Sequence, residues 1–192
     1  ESMPIAAAAA RRAGIPWVLD AVGAACSSLR RRFIASLLSS GIPSLIKGNY
    51  SEIMALWRPD YSASGVDADG SLKVEPMAKI AAGLASRMGT IVLASGATDI
   101  VTDGSKTLLI NNGTPQLGSV TGTGCMLGAL CACAMAVESG VRAPAAAAAL
   151  LGISGETAET GQGPGSFMTG LMDAIYAVSK GGGDSHLKIQ EA

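Results

Sequence analysis

Apolar and polar positions along the 192-residue chain follow two rhythms. Short unbroken apolar runs bounded by glycine, proline or serine read as strands buried on both faces, and three stand out: 16–20 (Pro16-Trp17-Val18-Leu19-Asp20), 44–47 (Ser44-Leu45-Ile46-Lys47) and 90–94 (Thr90-Ile91-Val92-Leu93-Ala94). Longer stretches read as helices from their start and stop residues. They cover 2–13, with Ser2 as N-cap, Pro4 in the first turn and Gly14 as the stop; a second from Ser27 or Ser28 to Gly41; a short one over 51–57; then 76–88, 125–137, 143–160 and 166–179. Residues 99–102 and 106–110 flank Asp103-Gly104-Ser105, a hairpin signal. The polar stretch 58–74 reads as a loop, its acidic part 60–69 serving as a nucleotide lid or an exposed linker, and the tail from Gly181 reads as frayed.

Strands that alternate with helices predict an α/β fold, a mostly parallel sheet with helices on both faces. In such sheets ligands bind beyond the carboxyl ends of the strands. Asp20, Asn49, Ser95 and Gly122 all fall at or just after predicted strand ends, so the four are expected along one rim.

Composition narrows the class. Hydrophobic residues make up 48% and charged residues 15%, which suits one compact domain rather than a disordered chain. The net charge of −1 gives no general attraction to nucleic acid or to an anionic membrane. Arg30-Arg31-Arg32 is the one basic run and reads as a solvated helix face or a subunit contact. No segment has the length and bulk of a membrane span, and no signal peptide is expected. The four cysteines (Cys26, Cys125, Cys131 and Cys133) match no zinc or CxxC spacing, so reduced thiols in a cytoplasmic protein are expected, with Cys131 and Cys133 in the core.

Two stretches carry candidate chemistry. In Val120-Thr121-Gly122-Thr123-Gly124-Cys125-Met126 two glycines allow close backbone approach, and a helix follows at once. Its first N–H groups lack internal partners and its dipole is positive there, which suits a phosphate. No Gly-Lys-Ser/Thr follows, so this is not a Walker A loop, and an ordinary strand-to-helix turn is the competing reading. In Lys47-Gly48-Asn49-Tyr50-Ser51-Glu52-Ile53, Lys47 could neutralise a phosphate, while Asn49 and Glu52 share a helical face. That pair either holds Mg²⁺ through waters or forms a capping box, and the spacing leaves both open.

Together the motifs resemble the hydroxyethylthiazole kinase family of the ribokinase-like superfamily. Val18-Leu19-Asp20-Ala21-Val22-Gly23-Ala24, Ile46-Lys47-Gly48-Asn49-Tyr50-Ser51-Glu52-Ile53, Ala94-Ser95-Gly96-Ala97-Thr98-Asp99, the Thr121–Cys125 turn and Gly163-Pro164-Gly165-Ser166-Phe167 occur in the family's order. The resemblance implies a ribokinase-like three-layer sandwich over 1–192, with the family's N-terminal segment expected to be missing. It implies ATP as co-substrate, Mg²⁺, a homotrimer, and phosphorylation of the hydroxyl of 5-(2-hydroxyethyl)-4-methylthiazole. By this resemblance Gly122 contacts substrate, and Lys47, Ser95 and Asn49 serve ATP. Glu52 with Asn49 organises the metal. Cys125 takes the hydroxyl proton beside the Thr123, Gly124 and Cys125 amides.

The chain has Lys47 where the family usually has arginine, Ser95 for threonine, Ala21 for proline and Ala97 for glutamate. Two other readings follow from the same residues: a related vitamin kinase of the pyridoxal or hydroxymethylpyrimidine type, and a non-catalytic nucleotide-binding homologue. Cys125, where those kinases carry aspartate, argues for the thiazole alcohol.

Overall fold

The computed structural model describes residues 2–62, 72–182 and 186–192. Three strands, β1 (Val18–Asp20), β2 (Leu45–Asn49) and β3 (Ile91–Ser95), run parallel. Three more, β4 (Asp99–Thr102), β5 (Thr107–Ile110) and β6 (Ile189–Glu191), add on in turn, each antiparallel to the last, to complete a six-stranded sheet. The reversals bring β5 back to the direction of β1–β3, so four of the six strands point one way.

Period-two alternation sends neighbouring side chains to opposite faces. Leu45, Leu93, Val101 and Ile110 pack under α5 (Thr123–Val137), α6 (Arg142–Ala158) and α7 (Pro164–Ala177). Ile46, Val92, Ala94 and Ile100 pack under α3 (Tyr50–Trp57) and α4 (Val74–Met88). Leu19 meets Ile34 and Leu37 of α2 (Ser28–Ser40) on a third, smaller cluster. The result is a three-layer α/β sandwich. Each fully buried large aliphatic contributes about 1.5–3 kcal/mol.

Most expected elements are present, and the differences have local causes. Ser27, not Ser28, caps α2, its Oγ accepting from the Arg30 N–H at 3.3 Å. Ser2 is the first residue of α1 (Ser2–Arg12) rather than its cap, and α1 buries none of its residues. The helix after the Thr/Gly turn starts at Thr123, two residues earlier than expected, because Gly122 takes the cap position at φ +102°. Arg30 and Arg32 are exposed, as a solvated face would be, whereas Arg31 is half-buried: its guanidinium donates to the carbonyls of Ala24, Ala25 and Pro59 and ties two loops together. Cys133 is exposed on α5, while Cys131 is buried as expected.

The largest correction concerns the tail. Residues expected to fray form β6, which pairs with β5 through Ile110 and Ile189. Of the expected 58–74 loop, residues 63–71 lie outside the described residues, and α4 begins at Val74. Among the described residues no helix is long and apolar enough to cross a membrane.

Candidate active site

The parallel strands deliver their last residues to one edge. Asp20 pairs in register with Lys47, and Asn49 with Ser95. Counting by twos from Leu45 puts Lys47 and Asn49 on the sheet face covered by α5. Lys47 is buried, and its Nζ donates to Asp20 Oδ2 at 3.1 Å. The other oxygen, Asp20 Oδ1, is buried with no hydrogen-bond partner.

The start of α5 closes on this pair. Only glycine adopts φ +102° without strain, so Gly122 can turn the chain into the helix. The first intrahelical bond runs from the Met126 N–H to the Gly122 carbonyl, which leaves the Thr123, Gly124 and Cys125 amides at the helix end without intrahelical acceptors. A Cβ on Gly124 would sit 3.2 Å from Lys47 Nζ, so the ammonium lies directly against this turn. The Thr123 hydroxyl donates back to the carbonyls of Leu117 and Val120 and fixes the approach of the preceding loop. A buried cation and a helix N-terminus thus share one spot, which raises the local potential for an anion beyond what either supplies.

Glu52 is buried and serves two loops. Its Oε2 accepts from the Asn49 N–H and its Oε1 from the Gly23 N–H, both at 2.7 Å. Asn49 Oδ1 in turn accepts from the Glu52 N–H at 2.9 Å. The capping box that the spacing allowed is therefore formed, with a second anchor on the β1–α2 loop. Desolvation raises the Glu52 pKa and nearby Asp20 adds to it, while the Asn49 and Gly23 N–H groups and Lys47 pull the other way.

Next to this centre lies a cavity of about 550 Å³. Asn49, Ser95, Thr123 and Gly124 line it, so the structure brings half of the expected site residues to its lining. Lys47 backs Gly124, and Glu52 holds Asn49 from behind. Gly122 and Cys125 are not in the lining; Cys125 is exposed on the first turn of α5.

The sequence alone assigned no role to the other lining residues, although Asp99 closes one of its motifs. Asp99 faces the cavity and accepts from the Gly96 N–H at 3.0 Å. Desolvation pushes its pKa up to about 7 against the pull of that N–H and of Lys47. Leu117, Leu127, Ala148 and Leu151 supply an apolar surface. Asp20 was legible as a rim residue, but its partnership with Lys47 depends on strand register.

The model of the hydroxyethylthiazole kinase family matches residues 1–181. The chain belongs to that family. Among hydroxyethylthiazole kinases, the one from Methanocella arvoryzae is 40% identical over 181 residues, covering 93% of this chain and 67% of its own. The one from Desulfosudis oleivorans is 36% identical, covering all of this chain and 70% of its own. The solved structure of the hydroxyethylthiazole kinase protein from Pyrococcus horikoshii superposes with a TM-score of 0.84 at 36% identity, covering all of this chain and 71% of the other.

Proposed function

We propose that this chain transfers the γ-phosphoryl group of ATP to the hydroxyl of 5-(2-hydroxyethyl)-4-methylthiazole, the thiamine-related reaction its relatives' name describes. The observation that carries the reading is the Lys47 ammonium set against Gly124 at the N-terminus of α5, beside a cavity large enough for an organic ligand. Phosphoryl transfer asks a protein mainly for positioning and charge stabilisation. The Thr123, Gly124 and Cys125 amides and Lys47 offer those to a migrating phosphoryl group. The substrate oxygen bonds to phosphorus, the bond to the β-phosphate oxygen breaks, and ADP leaves. The hydroxyl proton goes to the Cys125 sulfur. Gly122 contacts substrate, and Ser95 and Asn49 serve the nucleotide.

The residues present suit Mg²⁺. Asp20 Oδ1 is a buried acceptor with no partner, and Glu52 lies close enough to perturb the same electrostatics. Asp20 and Glu52 would hold the ion, which when bound neutralises phosphate charge. Glu52 would do so while still accepting the Gly23 and Asn49 amides. Residues 1–192 form a single domain in this reading, and the assembly is a homotrimer. The four free cysteines suit a reducing, cytoplasmic compartment.

A coupled ADP-release assay with the thiazole alcohol tests the reading, with pyridoxal and hydroxymethylpyrimidine run alongside. Thiazole-stimulated ADP release supports it. Release with either other alcohol alone, or nucleotide binding without turnover, rejects it.

A further inference from the structure

One wall of the cavity is the segment 112–118, which supplies Asn112, Gly113, Thr114, Pro115, Leu117 and Gly118 to the lining. It carries no strand pairing of its own, only the short 3₁₀ turn Pro115–Ser119. Side-chain bonds from distant elements therefore decide where it sits. One oxygen, Glu156 Oε1 on α6, accepts from three donors: the Gly113 N–H at 2.8 Å, Lys188 Nζ at 3.0 Å and Asn112 Nδ2 at 3.3 Å. The buried Asn112 amide also bridges to the tail, donating to the His186 carbonyl at 2.8 Å and accepting from the Lys188 N–H at 2.9 Å. The Asn111 N–H donates to the Lys188 carbonyl at 2.9 Å. Desolvation raises the Glu156 pKa, but the Gly113 N–H, Lys188 and Asn112 outweigh it and hold the carboxyl below its ordinary value.

These contacts join three separate parts of the chain at a single carboxylate. β6 is a three-residue edge strand with every residue exposed, so its backbone pairing alone holds it weakly. Its polar anchors run through the same residues that place the cavity wall. We propose that Glu156 is a positioning residue that couples docking of the C-terminal strand to occupancy of the cavity, so that nucleotide in the cavity and β6 on the sheet stabilise one another. The inference rests on the ATP reading of the cavity. The coupling is reciprocal by thermodynamic necessity, which makes it measurable from either side.

Two variants test it, E156Q and K188M. The first keeps the shape of the side chain and loses the charge. The second removes only an ammonium whose side chain is 56% exposed, so it leaves the core intact should E156Q fail to fold. Calorimetry with a non-hydrolysable ATP analogue measures affinity, and amide hydrogen exchange reads residues 189–191 with and without the analogue. Both variants are expected to bind at least roughly fivefold more weakly. In the wild type the analogue slows exchange in β6, and in the variants that slowing is lost. A merely structural Glu156 would lower the melting temperature yet leave the slowing by nucleotide in place. Equal affinity in wild type and both variants, or exchange in β6 indifferent to the analogue, overturns the proposal alone. A wild type that binds no analogue overturns the ATP reading and the coupling with it.

Discussion

Lys47 and Asp20, 27 residues apart in sequence, meet at the ends of adjacent parallel strands with Nζ 3.1 Å from Oδ2. The Lys47 side chain is 5% exposed and that of Asp20 23%. Removing the cation leaves a carboxylate in a poorly solvated place and strips the positive charge from the turn at Gly124. Lys47→Met is expected to cost about 1–3 kcal/mol of stability and to raise the KM for ATP. Lys47→Arg restores charge and a bidentate fork. Urea unfolding and steady-state kinetics on the two variants separate the effects, with Lys47→Arg retaining nucleotide binding.

Cys125 stands exposed on the first turn of α5, outside the cavity lining. In the proposed reaction Cys125 takes the substrate's hydroxyl proton, while the turn's amides and Lys47 are proposed to carry charge stabilisation. Cys125→Ala is expected to lower kcat roughly 10- to 100-fold, at or below the low end of general-base effects, with little change in KM for ATP. Unchanged turnover would remove the base role and leave the amide cradle as the sole contribution of this turn.

Gly152 of α6 presses on the cavity wall. A Cβ there would lie 2.6 Å from the Asn112 carbonyl oxygen and 2.7 Å from its carbon, both backbone atoms. Alanine in a helix interior ordinarily gains up to about 1 kcal/mol over glycine. Gly152→Ala is instead expected to destabilise by about 1–3 kcal/mol, through overpacking, and to weaken nucleotide binding as the wall moves. Thermal melts and analogue titration check both.

Asp99 sets a pH signature. Desolvation pushes its carboxyl up to about 7 in the fold, whereas an unfolded aspartate titrates near about 3.9. Between these values the folded chain keeps a proton that the unfolded chain has released. Its contribution to stability is therefore full below roughly pH 4 and lost by roughly pH 7. Asp99→Asn retains an oxygen to accept from the Gly96 N–H but does not titrate. The stability of wild type relative to Asp99→Asn should fall across that window in denaturant titrations, and a flat difference would contradict the assignment.

How much was legible in the sequence follows from how local each feature is. Strands β1, β2 and β3 and the 99–110 hairpin announce themselves through contiguous apolar runs and turn residues, and the Asp103 side chain fixes its own turn by accepting from the Ser105 and Lys106 N–H groups. The capping box that the Asn49 and Glu52 spacing allowed is formed, because the helix end supplies the nearest donors. The tail held no such signal. Three residues of β6 form a strand only because β5 offers an edge and Asn112 offers anchors 74 and 76 residues away.

By itself, then, the sequence determined the α/β class, the rim of strand ends at Asp20, Asn49 and Ser95, and the glycine turn into α5, because each depends on residues close together along the chain; Gly122, expected on that rim, instead follows a 3₁₀ turn and no strand. Tertiary structure alone decided that Lys47 neutralises Asp20 while resting on Gly124, that Asp99 faces the cavity, and that Glu156 gathers α6, the 112–118 wall and the C-terminal strand. Those pairings arise from strand register and from helices closing over a sheet. Both are set by burial summed over the whole chain, and no local pattern of residue types encodes them.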